Sequence, residues 1–142
     1  MKVTFLDSPE LIDRHWPAVE NLIGPSVEEL AKGEFNVDDL LTMVRYNSAH
    51  AGLVESDSVP VLAVVFEFRY YPRCVALHVL ALAGKNLSEA AMTFWPVLQC
   101  FAKEFGATRV EAHAGRAMSR ILCGAGFQHQ YDFLKVEINQ EV

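Results

Sequence analysis

His78 is the residue of this chain best suited to acid–base chemistry. It is the one titratable side chain inside residues 75–82, an apolar run with the aliphatic and β-branched composition of a buried strand. Burial disfavours the charged form of an imidazole, so a histidine in such a strand stays neutral near pH 7 and can accept a proton. A hydrogen-bonded core histidine would produce the same pattern, so both interpretations of His78 stand.

Glu67 is the second side chain that could act as a base. It interrupts another apolar run, residues 61–68, which also has the composition of a buried strand. A carboxylate in that position is either a proton acceptor in a site or a residue on the solvent-facing side of the strand. The sequence alone leaves both roles open.

The composition is that of one folded domain with an acidic surface. Hydrophobic residues make up 51% of the 142 residues, which is enough for a buried core and argues against a disordered chain. Asp and Glu outnumber Lys and Arg by 18 to 12. That balance disfavours nucleic acid as a partner, because phosphates attract basic surfaces. Charged residues interrupt every apolar run, so we expect neither a secretory signal nor contact with a membrane.

The cysteines indicate a reducing compartment and no metal site. Cys74, Cys100 and Cys123 are odd in number, far apart and set in apolar surroundings, a pattern typical of reduced thiols in the core. Neither the cysteines nor the five histidines have the spacing of a zinc site. We therefore expect a cytoplasmic protein without a bound metal.

The first half of the chain predicts a short strand, three helices and a hairpin. Ser8 and Pro9 form a helix start, with serine as the cap and proline at the first helical position. The dipeptide Gly24-Pro25 is expected to end that helix, and a capping box at Ser26 to start a second one. The other predicted elements are a strand at 2–6, a helix at 36–46, and strands at 51–55 and 59–70 joined by a turn at 56–58.

The second half of the chain alternates strands and helices. Phe94, Leu98, Phe101 and Phe105 are spaced as one apolar helical stripe. The central strand at 75–82 should pair with residues 61–68, because these are the two most continuously apolar β-type runs. After the helix, the predicted elements are a strand at 108–112, a short helix at 116–122 and a final strand at 127–138.

This order of elements resembles the GNAT acyltransferase superfamily. In the most similar stretch a helix ends at Gly106, a strand follows, and a short helix leads to Gly126-Phe127, which opens the last strand. Within the superfamily, Tyr71-Pro72-Arg73 and Gly115-Arg116 resemble small proteins encoded by bacteriophages. The resemblance implies an α/β fold in three layers, with a mixed, mostly antiparallel central sheet and helices on both faces, formed by residues 1–142 as a single domain.

The resemblance also implies a reaction, the transfer of an acetyl group from acetyl-CoA to an amine of a small molecule or a protein. A base takes the amine proton and an acid, often tyrosine, protonates the leaving thiolate. His78, with Glu67 as the second candidate, is the expected base. If coenzyme A binds, a bulky residue in place of Gly84 is expected to abolish binding without unfolding the protein. The pyrophosphate would lie against backbone N–H groups after the central strand, at Leu82, Ala83, Gly84, Lys85, Asn86, Leu87 and Ser88.

The chain departs from the superfamily pattern in the residues that normally serve this chemistry. Ala83 replaces the leading polar residue of the phosphate loop, and Asn86 and Ser88 replace small residues. Leu122 stands where the superfamily has its tyrosine, so Tyr131 on the predicted last strand is the expected substitute acid, or else a packing residue. Two functions are therefore open. One is an active N-acetyltransferase, and the other is a catalytically silent binding or virion-associated protein of the same fold.

Overall fold

The computed structural model describes residues 1–31, 33–85 and 87–141. The strands within these residues form one sheet in the order β1-β2-β3-β4-β5, antiparallel throughout except for the parallel pair β4 and β5. The elements are β1 (Lys2–Phe5), α1 (Pro9–Leu30), α2 (Val37–Arg45), β2 (His50–Ser56), β3 (Val59–Tyr70), β4 (Val75–Gly84), α3 (Leu87–Glu104), β5 (Arg109–Ala112) and α4 (Arg116–Gly124).

The helix α1 runs without a break, which corrects the prediction of two helices separated at Gly24-Pro25. Val19, Ile23 and Val27 are buried at intervals of four residues, so one apolar stripe continues through the predicted break. A proline inside a helix removes a backbone hydrogen bond. Burial of the stripe against β3 and β4 outweighs that loss.

Short-range signals set the start of two helices and the turn of the hairpin. The hydroxyl of Ser8 accepts a hydrogen bond from an N–H in the first turn of α1 at 3.2 Å, as predicted. Asn36 and Asp39 form a reciprocal capping box at the start of α2, with distances of 2.8 and 3.0 Å. Between β2 and β3, Asp57 and Ser58 have φ angles of 50° and 66°. Two successive residues with positive φ are what a type I′ hairpin turn requires.

The two most apolar runs pair with each other, as predicted. β3 and β4 form an antiparallel ladder that contains one irregularity. Val65 and Phe66 are consecutive on β3, but their partners on β4, Ala81 and Val79, are two positions apart. Leu80 is therefore an extra residue on β4, a β-bulge.

Helices cover both faces of the sheet, so the predicted three-layer fold is confirmed. On one face α1 and α2 pack against the sheet through a core that includes Ile23 and Val65. On the other face α3 packs through a second core that includes Phe94, Phe66 and Leu77. No helix within the described ranges is both long and apolar enough to cross a membrane.

The cysteines lie outside the core, which corrects the prediction of core thiols. Cys74 is partly exposed, and Cys100 and Cys123 are exposed.

Residues 127–138 form no strand, which corrects the prediction of a final strand there. The segment contains β-type residues, but Tyr131, Leu134 and Val136 are 71%, 86% and 88% exposed. A strand needs a neighbouring backbone to share its hydrogen bonds, and the edge strand β5 has only four residues. The composition of residues 127–138 suits a strand, but a strand also needs hydrogen bonds to a neighbouring strand, and these are not formed.

Candidate active site

The parallel strands β4 and β5 separate partway along β4. Their pairing ends at Val79 and Ala112, after which β4 continues to Gly84 while the chain leaves β5 toward α4. From Leu80 onward, the side of β4 that faced β5 has no strand partner among the residues that the structure describes. Its backbone groups are therefore available to a ligand. The bulge at Leu80 coincides with this point of separation.

Three titratable side chains form a row across the sheet just before the separation. Glu67 on β3 pairs in register with His78 on β4, and His78 pairs with Glu111 on β5. Residues directly opposite each other on neighbouring strands share one face of the sheet. His78 is only 3% exposed, whereas both carboxylates are partly accessible. The two residues predicted as bases, His78 and Glu67, are thus neighbours.

Glu111 joins His78 to two further polar groups. Nδ1 of His78 lies 3.0 Å from Oε1 of Glu111, and the hydroxyl of Tyr71 donates to the same oxygen at 2.6 Å. Nη2 of Arg109 lies 3.2 Å from Oε2, and its guanidinium sits over the Tyr71 ring, 5.0 Å from the centroid. Glu67 instead pairs with Arg69 at 3.0 Å. We call His78, Glu111, Tyr71 and Arg109 the Glu111 cluster.

The environment keeps His78 neutral and Glu111 ionised. Burial lowers the pKa of His78 below its ordinary value, and the positive charge of Arg69 lowers it further, against the opposing effect of Glu111. Burial by itself would raise the pKa of Glu111, but the hydrogen bonds from Tyr71 and His78 and the charges nearby outweigh it, so the pKa is lowered. A neutral imidazole beside a carboxylate is a pair that can accept a proton from a nucleophile.

A cleft of about 860 Å³ opens beside the Glu111 cluster, between β5 and residues 127–133. His78 and Glu111 line it together with His113, Tyr131 and Phe133. The His113 ring packs edge-on against His78 with 4.9 Å between centroids, and Phe133 packs on His113 at 5.2 Å. A substrate in the cleft would therefore lie near the imidazole.

Tyr131, the predicted acid, lies on the wall of the same cleft as His78. Leu122, predicted to stand where the superfamily has its tyrosine, lines the cleft as well. The Tyr131 side chain is largely exposed, and the segment that carries it is not a strand. Its role as a proton donor remains a prediction.

The first residues of the predicted pyrophosphate site belong to the sheet. Leu82, Ala83 and Gly84 are in register with β3 at the end of β4. The N–H of Lys85 donates to the carbonyl of Val61 at 2.8 Å, which extends the ladder by one bond. The Lys85 amide is therefore not free to bind a phosphate.

The last residues of the predicted pyrophosphate site lead into α3. Asn86 lies outside the described residues, and the helix includes Leu87 and Ser88 in its first turn. Backbone N–H groups in the first turn of a helix have no partner within the helix. The beginning of α3 is therefore where an anion would find free donors.

Gly84 is required by the close approach of two strands. A Cβ atom at position 84 would lie 2.3 Å from the carbonyl oxygen of Val61 and 2.9 Å from the Cα of Leu62. Both are backbone atoms of β3, which cannot move without disturbing the sheet. This finding corrects the expectation that a bulky residue in place of Gly84 would leave the fold intact.

Sequence reasoning missed Glu111 and Arg109 and used Tyr71 only as part of a motif. The sequence does contain one signal for Glu111. It is the single carboxylate of the predicted strand at 108–112, and it lies between the apolar residues Val110 and Ala112. Its importance depends on the parallel register that sets Glu111 opposite His78. Spacing along the chain does not reveal that register.

We expect the protein to lose stability as the pH falls below about 6.5. Burial lowers the pKa of His50, whose ring packs among phenylalanine rings including Phe66 and Phe101, and burial also lowers the pKa of His78. Below the ordinary value of 6.5, the unfolded chain takes up protons that the folded chain accepts only at lower pH. Stability that is fully present above that value is therefore lost on acidification. Urea unfolding between about pH 5 and pH 7.5 measures this dependence.

A substitution separates the His50 contribution from the rest. His50→Phe should flatten the pH dependence of the unfolding free energy, because it removes one of the two imidazoles whose pKa is lowered by burial. His129→Gln, at a position 66% exposed, is the matched control and should leave the dependence as it is. A free energy of unfolding that stays constant across this pH range would contradict the expectation.

Comparison with solved structures shows the fold. A protein described as a "probable acetyltransferase" has a TM-score of 0.71 and 11% identity, covering 98% of this chain and 97% of its own. The aminoglycoside 6′-N-acetyltransferase from Acinetobacter haemolyticus has a TM-score of 0.67 and 15% identity, covering 98% and 99%. A predicted acetyltransferase from Clostridium acetobutylicum, determined with acetyl-CoA, has a TM-score of 0.66 and 12% identity, covering 96% of both chains. The chain therefore has the GNAT-like fold that was predicted from its sequence. No protein-family model and no curated protein matches it.

Proposed function

We propose that this protein transfers an acetyl group from acetyl-CoA to an amine, with His78 as the general base. The observation that carries the proposal is the pairing of a buried, neutral His78 with Glu111 where β4 and β5 separate. The solved structures of the same fold include proteins described as acetyltransferases, one of them determined with acetyl-CoA. These similarities support the reaction class, and the acceptor is proposed to be an amine of a small molecule or of a protein.

The end of β4 and the beginning of α3 fit an acyl coenzyme A as co-substrate. Between Leu80 and Gly84, β4 offers backbone groups with no strand partner on the β5 side within the described chain. The extended arm of coenzyme A carries amide groups. They can hydrogen-bond to these backbone groups as a neighbouring strand would. The first turn of α3 offers N–H donors and the positive end of a helix dipole to the pyrophosphate. The exposed Lys85 adds a positive charge beside this turn.

The Glu111 cluster can supply the proton transfer that the reaction needs. His78 accepts the amine proton at Nε2, so the amine nitrogen can bond to the thioester carbonyl carbon as the carbon–sulfur bond breaks. Tyr131, which lines the same cleft, is the proposed donor of a proton to the leaving sulfur. Exclusion of water from the buried imidazole keeps it in the neutral, accepting form.

A catalytically silent binding or virion-associated protein of the same fold is the second candidate. Two observations favour it. Leu122, predicted to stand where the superfamily has its tyrosine, is on the wall of the cleft, and the Lys85 N–H is hydrogen-bonded to the carbonyl of Val61. The resemblance of Tyr71-Pro72-Arg73 to bacteriophage proteins points in the same direction. Acetyl-CoA binding and turnover separate the two candidates.

We expect acetyl-CoA to raise the melting temperature of the protein. A ligand that binds only the folded state at a hundred times its Kd adds about 2.7 kcal/mol to the free energy of unfolding. For a domain of this size that corresponds to a rise of roughly 5 to 15 °C. A thermal-shift titration measures the rise, and transfer to a panel of amines is then followed by release of free thiol.

A charge reversal provides the control for this titration. Lys85→Glu places a negative charge beside the proposed pyrophosphate position and should reduce the shift. Lys2→Glu makes the same change at an exposed position on β1 and should not. Each variant is compared with its own melting temperature without ligand. A wild-type protein that shows no shift at millimolar acetyl-CoA and releases no thiol would favour the catalytically silent candidate.

A further inference from the structure

The Glu111 carboxylate holds two donors on one oxygen. Oε1 of Glu111 accepts from the Tyr71 hydroxyl at 2.6 Å and lies 3.0 Å from Nδ1 of His78. Oε2 faces the Arg109 guanidinium at 3.2 Å. Both oxygens therefore have cationic or hydrogen-donating neighbours, an arrangement that suits an ionised carboxylate and not a protonated one.

An ionised carboxylate decides which nitrogen of the neighbouring imidazole carries the proton. A neutral histidine has one N–H and one unprotonated nitrogen, and a carboxylate can only accept. The contact at 3.0 Å therefore requires the proton on Nδ1. Nε2, on the other side of the ring from Glu111, is left with its lone pair and is the nitrogen able to accept a proton.

The groups that face His78 explain why this carboxylate is needed. Glu67 and Arg69 approach from β3, and the Arg69 charge disfavours a protonated imidazole. His113 packs on the ring from the end of β5 and acts in the same direction. Glu111 is the group that hydrogen bonds to His78 and favours its charged form. Without it, the buried imidazole would be a weaker base and would have no fixed tautomer.

We propose that Glu111 is a positioning residue that holds His78 as the Nδ1–H tautomer, and that Tyr71 and Arg109 orient the Glu111 carboxylate for this task. Glu111 touches neither the acetyl donor nor the amine in this scheme. It acts through His78 alone. The inference rests on the proposed function only for its kinetic consequence, since the tautomer itself is a property of the folded protein.

Nuclear magnetic resonance tests the tautomer without any substrate. In protein labelled with ¹⁵N-histidine, long-range ¹H–¹⁵N correlations distinguish a protonated nitrogen from an unprotonated one, and His78→Gln assigns the signals. At neutral pH, His78 should be protonated at Nδ1. Glu111→Gln should shift the tautomer ratio, and Glu137→Gln, the same chemical change at an exposed position, should not. An Nε2–H tautomer in the wild type, or a ratio unchanged in Glu111→Gln, overturns the inference whatever the activity.

Kinetics then separate positioning from a merely structural role. Glu111→Gln should lower acetyl transfer by roughly 10- to 100-fold, the usual cost of removing the hydrogen-bonding partner of a metal-bound histidine. It should also move the acidic limb of the kcat/KM profile to lower pH, because the group that favours protonated His78 is lost. Tyr71→Phe removes one hydrogen bond to the carboxylate and should lower transfer by roughly 2- to 10-fold.

Two outcomes of the kinetic test bear on different claims. An active enzyme whose Glu111→Gln variant keeps the wild-type rate and pH profile would show that Glu111 has only a structural role, which overturns the inference. If the wild type shows no transfer at all, the proposed function fails and the magnetic resonance result alone decides whether Glu111 sets the tautomer. If Glu111→Gln does not fold, Tyr71→Phe takes its place, because the Tyr71 side chain is exposed and its change should be tolerated. A wild-type pH profile and tautomer ratio in Tyr71→Phe would then overturn the inference.

Discussion

Replacing His78 with alanine is expected to lower acetyl transfer by about a hundredfold or more, the usual contribution of a general base. The substitution removes the nitrogen that accepts the amine proton. It leaves the end of β4 and the first turn of α3 in place, so the Kd for acetyl-CoA should stay nearly unchanged. The rate and the affinity are measured on the same preparation, by thiol release and by calorimetric titration.

The stability of the His78→Ala variant must be measured beside its activity. His78 is buried and hydrogen-bonded, so its loss should cost about 1 to 3 kcal/mol of unfolding free energy. Glu111 would keep Tyr71 and Arg109 as partners, which limits that cost. His15→Ala, at a partly exposed position on α1 away from the cleft, is the control and should leave transfer unchanged and the unfolding free energy nearly so. Transfer that survives the loss of His78 undiminished would mean that His78 is a core histidine and that the base lies elsewhere.

Replacing Gly84 with valine is expected to destabilise the fold by at least about 1 to 3 kcal/mol, the usual cost of overpacking. The new side chain would collide with the backbone of β3 at Val61 and Leu62. Gly24→Ala is the matched control, because a Cβ at position 24 has nothing within 4 Å and alanine suits a helix interior better than glycine. That variant should be as stable as the wild type or more so, by up to about 1 kcal/mol.

Urea unfolding of the two glycine variants distinguishes two roles for Gly84. If Gly84→Val unfolds at a lower urea concentration, the glycine is needed where the strands meet. If it is as stable as the wild type but no longer responds to acetyl-CoA, the glycine serves the ligand directly, and the close approach to Val61 does not require it.

The fold could be predicted from the sequence to the extent that it depends on local pattern. The apolar runs that became β3 and β4, the turn at Asp57 and Ser58, and the cap at Ser8 each carry their signal within a few residues. The break predicted at Gly24-Pro25 was wrong because it considered only the local helix-ending tendency of glycine and proline. The buried apolar stripe of α1 extends past this point and keeps the helix continuous. The predicted final strand failed because suitable residues do not supply a partner for their backbone.

The candidate site could be predicted only in part. His78 and Glu67 stand out as polar residues in apolar strands, a contrast that the sequence contains. Glu111 is 33 positions beyond His78 and reaches it only through the parallel pairing of β4 and β5. Tyr71 reaches Glu111 across 40 positions. Contacts between residues so far apart in sequence depend on how the strands are aligned with each other. That alignment is fixed only when the sheet assembles.

The extra residue at Leu80 makes β4 unequally tolerant of changes in length. Leu80 and Ala81 both contribute to the core on the α1 side, whereas Val79 and Leu82 contribute to the core on the α3 side. A chain that lost Leu80 would have a regular ladder with every remaining side chain on its present side of the sheet. Loss of Leu77 would instead reverse the facing of every side chain on one side of the deletion. Side chains that now pack into one core would then point toward the other. Natural or engineered variation in the length of this strand should therefore concentrate at the bulge, next to the proposed site.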